Sequence, residues 1–159
     1  MSYRGLLLFV HVLGVILWVG VAVALPFVTG RARRTGDLEI ASFAYGVADR
    51  LTRTIGLAGM VLTLLGGVGL VVINPAYGWF QPFPDHWLFQ MQILGFLSFG
   101  VGAFYQVPLA GRLAREAEAS ARDGEPTERF GKLRKRHAIV GSVNGFLLLV
   151  VVLLGTVRP

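Results

Sequence analysis

Cysteine is absent from the 159 residues, which excludes disulfides, thiolate nucleophiles, cysteine-held iron–sulfur clusters and thiolate zinc sites. Charge is scarce too. Asp, Glu, Lys and Arg make up 15% of the chain, against about 25% in ordinary soluble domains. No carboxylate lies inside the long apolar runs, so neither a paired acid–base site nor a Ser, His and Asp group can form there. What remains is apolar: 54% hydrophobic residues and a mean hydropathy of +0.63 exclude a water-soluble enzyme and place the chain among membrane proteins. A net charge of +6 could suit nucleic acid, but the basic residues sit in short segments between apolar runs, where membrane topology accounts for them. Nucleic-acid binding is set aside on that ground.

The runs are 6–28, 55–73, 88–110 and 138–157, none of which contains Asp, Glu, Lys or Arg. At a rise of about 1.5 Å per residue, a hydrocarbon core about 30 Å thick needs about 20 residues, and in lipid each run must be a helix to satisfy its own backbone. The expected fold is therefore an all-α integral membrane protein, a bundle of four transmembrane helices forming a single domain over 1–159. Ala22-Val23-Ala24 has the small-x-small look of a signal cleavage site. The apolar stretch before it outruns the roughly 7–15 residues of a signal core, so it is read as a span.

All but two of the fifteen Lys and Arg lie between runs one and two (Arg31, Arg33, Arg34, Arg50, Arg53) or three and four (Arg112, Arg115, Arg122, Arg129, Lys132, Arg134, Lys135, Arg136). The positive-inside rule then puts both termini and the 74–87 connection outside. The basic connections should be helical extensions of the spans. One begins after Thr35-Gly36, another ends at Asp123-Gly124-Glu125-Pro126, and Thr127 should cap the helix that leads into span four. Lys132–Arg136 (KLRKR) could bind anionic lipid headgroups or serve only as the topology signal. The outer connection, NPAYGWFQPFPDHW, packs aromatics and prolines that suit the membrane interface, as an anchor belt or as a lid over the bundle.

Small residues recur at four-residue spacing: Gly59, Thr63 and Gly67; Gly95, Ser98 and Gly102; Gly141 and Gly145. They predict close contacts among spans two, three and four. Polar residues inside a membrane are costly and mark function by default. His11, Gln90 and Gln92 fall at the outer end with Asp85-His86 above them, whereas Gln106, His137 and Asn144 fall toward the inner end. His11, Gly14, Trp18 and Ala22 share one side of span one, presenting an imidazole, a gap and an aromatic plane to a flat cofactor. Imidazole is the usual axial ligand of b-type haem, and His86 or Met91 could supply a second. The competing reading has His11 hydrogen-bonded to a backbone carbonyl or to Gln92. With no cysteine and only Met60 and Met91 beyond the first residue, the ligands for Cu(I) are poor.

The stretch His11–Gly20 (HVLGVILWVG), with Pro26 and the arginines from Arg31 to Arg34, resembles the first span of an uncharacterised bacterial family of predicted integral membrane proteins allied to CopD-like copper-resistance domains. It is more distantly similar to the HemJ-type membrane protoporphyrinogen oxidases. The Leu-Gly-Gly-Val-Gly-Leu of span two and Trp87-Leu88 extend the likeness. The resemblance implies a bacterial cytoplasmic membrane and, through HemJ, haem b on His11. Where the HemJ pattern has Trp-Leu-His-x-Lys, this chain reads Trp87-Leu88-Phe89-Gln90-Met91 and so lacks the residues for porphyrinogen oxidation. The functional expectation is a haem-binding or redox-associated membrane protein, with His11, Trp18, His86, Met91 and Gln92 around the cofactor and His11 and His86 as metal ligands. The alternative is a non-catalytic accessory subunit that packs against itself or a larger complex through its glycine faces.

Overall fold

Short polar side chains and glycines set the helix ends. In the computed structural model, which describes residues 2–74, 77–80 and 86–157, Ser2 Oγ accepts from the Gly5 amide at 3.2 Å and opens α1 (Tyr3–Thr35). Gly36 closes α1 at φ 72°, a left-handed value that glycine adopts without a Cβ clash. The Asp37 carboxylate then accepts from the amides of Glu39 and Ile40 at 2.8 and 3.1 Å and starts α2 (Leu38–Ile73). The same two devices separate α3 (Trp87–Asp123) from α4 (Glu128–Val157). Gly124 turns at φ 75°, and Thr127 Oγ1 accepts from the Phe130 amide at 3.0 Å. All four helices are long and apolar enough to cross a membrane, and the described residues contain no strand. The four expected spans lie inside these longer helices, whose extensions carry the basic residues at one end of the bundle.

Two helices contain a π segment, each with a local cause. In α3 the segment is Val101–Gln106, and the Val107 amide reaches back five residues to the Gly102 carbonyl. Pro108 follows at once; it has no N–H for the Phe104 carbonyl and its ring would crowd that oxygen, and a widened turn relieves both faults. In α2 the segment is Thr52–Gly56, where the Leu57 amide bonds the Thr52 carbonyl. The hydroxyls of Thr52 and Thr54 donate to the carbonyls of Ala48 and Arg50 at 2.7 and 2.8 Å, competing with the backbone ladder there.

Lipid offers helices no hydrophobic drive to associate, so contact must come from close backbone approach and polar bonds. The small-residue stripe of α2, expected from its spacing to meet α3 and α4, meets α1 instead. A Cβ on Gly59 would lie 2.7 Å from the Trp18 nitrogen and one on Gly66 2.6 Å from the His11 nitrogen, while one on Gly14 would collide with the Thr63 backbone. The tight turn at Gly36-Asp37 makes α1 and α2 antiparallel neighbours and gives them first claim on each other's glycines. On α3, Gly102 does meet the other helices, lying against Met60 of α2 and Asn144 of α4. At the basic end α2 and α3 pack through Ala41, Tyr45, Leu113 and Ala117 onto Phe130 of α4. The rings of Tyr45 and Phe130 stand edge to face at 5.6 Å. Toward the other end the bundle divides into two pairs, α1 with α2 and α3 with α4, with little contact between them.

Candidate functional site

His11 Nδ1 lies 2.8 Å from the Thr63 carbonyl. A carbonyl can only accept, so Nδ1 donates in this bond. The other outer residues turn elsewhere. Gln92 holds the outer connection: its Oε1 accepts from the Phe80 amide at 2.7 Å and its Nε2 donates to the Gly78 carbonyl at 3.1 Å. Those bonds hold Phe80 at the left-handed φ of 50°. Met91 packs toward α4, with its Cε 3.3 Å from where a Cβ on Gly155 would lie. His86 begins the helix that becomes α3; its side chain, and the proline-bearing positions 75, 82 and 84 with Asp85, lie outside the described residues.

The haem expectation can be tested on this geometry. The face formed by His11, Gly14 and Trp18 exists, but α2 occupies it, with Gly59, Thr63 and Gly66 seated where a porphyrin would need to approach. His11, Met91 and Gln92 address three different neighbours: α2, α4 and the outer connection. The residues as arranged therefore do not fit a haem between His11 and Trp18, and no step is derived through one. Among the described residues no group of three or more His, Cys, Asp or Glu converges on a point.

A different site is built nearer the basic end. A cavity of about 370 Å³ lies between α1 and α4, with α2 and α3 at its back. α1 contributes Trp18, Leu25, Pro26 and Arg33, and α4 contributes Arg134, His137, Gly141 and Gly145. Both π segments reach its back wall, one through Thr52 and Gly56, the other through Gln106. Widened turns of this kind recur at functional sites because they turn side chains out of the regular helical register. α1 and α4 touch little, and the rim residues Pro26, Ala138 and Ser142 are exposed, so the cavity is a cleft that opens sideways.

Its polarity is graded. Trp18 and Met60 make the deep part apolar, whereas Arg33, Arg134 and His137 sit at the basic end. Tyr45 lines the same cleft: burial pushes its hydroxyl above the ordinary phenol range, against the opposing pull of Arg134 and Arg33. The Arg134 guanidinium also stands 5.7 Å over the Phe130 ring.

A buried polar chain feeds the back wall. Ser98 Oγ donates to Asn144 Oδ1 at 2.6 Å, and Asn144 Nδ2 donates to Gln106 Oε1 at 3.2 Å. Ser98 and Asn144 are only 0% and 2% exposed, so these bonds answer the cost of polar atoms in an apolar interior. The sequence marks Gln106, Asn144 and His137 as polar residues at the inner end, but not that Ser98 joins them or that Gln106 faces a cleft. Pro108 two residues after Gln106 is the signal that could have found the shifted register.

The model of a family described as "Predicted integral membrane protein (DUF2269)" matches residues 5–159, and the chain belongs to that family. No curated protein matches the chain, and no solved structure does.

Proposed function

We propose that this integral membrane protein binds an anionic amphiphile, which enters sideways between α1 and α4 with its charged end at Arg33 and Arg134 and its apolar body beside Trp18 and Met60. The observation that carries the reading is the graded polarity of the cleft, apolar at depth and doubly cationic at one end. The concentration of Lys and Arg at that end supports, by the positive-inside rule, a reading in which it faces the cytoplasm of a bacterial inner membrane and the ligand comes from the cytoplasmic leaflet. A guanidinium presents a planar fork of donors that matches phosphate or carboxylate oxygens. Near the interface it loses less to solvent than it would in open water. Binding, not bond-making chemistry, is what the lining supports.

The test uses Trp18 as the reporter in a chain carrying Trp79→Phe and Trp87→Phe. An anionic lipid with brominated chains should quench Trp18 at lower concentration than its neutral, choline-headed counterpart. Arg33→Gln with Arg134→Gln should weaken the anionic lipid roughly tenfold, the equivalent of one charge-assisted hydrogen bond. Equal quenching by both lipids sinks the reading. The haem expectation competes with it: a reduced-minus-oxidised spectrum with an α-band that disappears in His11→Ala would replace the amphiphile by haem b. A chain that binds neither lipid nor haem but purifies with a second membrane protein would be an accessory subunit.

A further inference from the structure

Gln106 gives the cleft a second polar level, and its amide has a fixed direction. Its Oε1 is taken by Asn144 Nδ2 at 3.2 Å, and Asn144 is itself anchored by Ser98 at 2.6 Å. The remaining polar end, Nε2, lies against Gly141, 3.5 Å from where a Cβ would stand, and Gln106 and Gly141 both line the cleft. An N–H pair in an apolar wall is costly unless something accepts from it. A plain hydrocarbon chain offers nothing. A fatty acid offers one carboxylate, which the arginines claim.

The two levels are spaced. Gly141 is seven residues from Arg134 along α4, about 10 Å at 1.5 Å per residue. In an acylated glycerol phosphate the ester carbonyl follows the phosphate toward the chains, the same order in which the cleft presents guanidinium and then amide. Resting on the amphiphile reading, we propose that the cleft takes an acylated glycerol phosphate, whose phosphate meets Arg33 and Arg134 and whose ester carbonyl accepts from Gln106 Nε2. Gly141 and Gly145 leave room for the chain; a Cβ on Gly145 would meet nothing within 4 Å.

The experiment compares diacyl glycerol phosphate with its dialkyl ether analogue, which keeps the phosphate and chains but has no carbonyl. Both carry brominated chains and are titrated against Trp18 in the full-length chain bearing Trp79→Phe and Trp87→Phe. The ester should bind about fivefold more tightly than the ether, the value of one neutral hydrogen bond. Gln106→Leu should erase that difference. Water-soluble glycerol phosphate should not compete. Equal affinities for ester and ether in the unsubstituted cleft overturn the proposal and leave the amphiphile reading standing, and this comparison depends on no Gln106 variant folding. Failure of both lipids to bind removes the amphiphile reading and this proposal with it.

Discussion

Gly66→Ala should loosen the contact between α1 and α2, and its size follows from what the new methyl meets. The added Cβ would lie 2.6, 2.7 and 2.8 Å from the nitrogen, Cα and Cβ of His11, where carbon contacts favour about 3.5–4.0 Å. These are backbone atoms and a fixed Cβ, so no rotamer change can relieve them and the helices must part by nearly an ångström. Overpacking of that kind costs about 1–3 kcal/mol. The same movement stretches the 2.8 Å bond between His11 Nδ1 and the Thr63 carbonyl, at a further cost of about 1 kcal/mol. Replacing a helical glycine by alanine returns about 0.5–1 kcal/mol. The net expectation is a loss of about 1–3 kcal/mol, read by circular dichroism as the chain is unfolded by dodecyl sulfate from mild-detergent micelles. Gly95→Ala is the control, because its Cβ would meet nothing within 4 Å and only the helix gain remains. If both variants shift the transition alike, the close approach at Gly66 is not what holds α1 to α2.

The other expectations concern the polar bonds, the turns and the orientation. A double-mutant cycle on Ser98→Ala and Asn144→Ala should give a coupling of about 0.6–1.7 kcal/mol, the range found for hydrogen bonds between membrane helices; additive effects would deny the 2.6 Å bond. Gly36→Ala places a Cβ at φ 72° and should cost about 1–2 kcal/mol in the same unfolding assay, with no loss refuting the left-handed turn. Gln92→Leu removes the partners of the Phe80 amide and the Gly78 carbonyl, so amide exchange at 77–80 should quicken while that of α1 stays as it was. Because the chain has no cysteine, Arg122→Cys and Trp79→Cys each give a single thiol. In intact cells an impermeant maleimide should label the second and leave the first unlabelled, and the reverse pattern would invert the proposed topology.

The spans and their ends were legible because each rests on a local rule. An uncharged apolar run near the bilayer thickness can do little but cross, and Gly36, Asp37, Gly124 and Thr127 are the residue types that their turns and caps require. The outer site was harder for a reason that is also physical. Periodicity shows that His11, Gly14 and Trp18 share a face but not what the face meets, and a glycine gap admits a flat cofactor or a second helix equally well. Here α2 takes the gap, and the His11 ring meets a backbone carbonyl, one of the two partners open to it from sequence alone. Ser98 was illegible as a partner of Asn144 because a helical serine usually bonds its own preceding turn.

The cleft itself follows from how the small residues are shared out. α1 spends Gly14 on α2, and α3 and α4 are joined through Asn144, Gln106 and Ser98, so α1 and α4 are left with Pro26, Gly30, Gly141 and Gly145 facing a gap. In water the hydrophobic effect would close such a gap; in lipid nothing drives closure, and an acyl chain fills it as well as a side chain could. Filling the gap covalently should therefore separate binding from stability. Gly145→Leu places its side chain in the cleft from a position where a Cβ meets nothing within 4 Å. Quenching of Trp18 by brominated lipid should fall at least tenfold, while the unfolding transition stays in place or rises by the roughly 0.5–1 kcal/mol that glycine costs a helix. A transition that drops as far as that of Gly66→Ala would mean that α1 and α4 close on each other in the membrane, and the gap would then be no binding site.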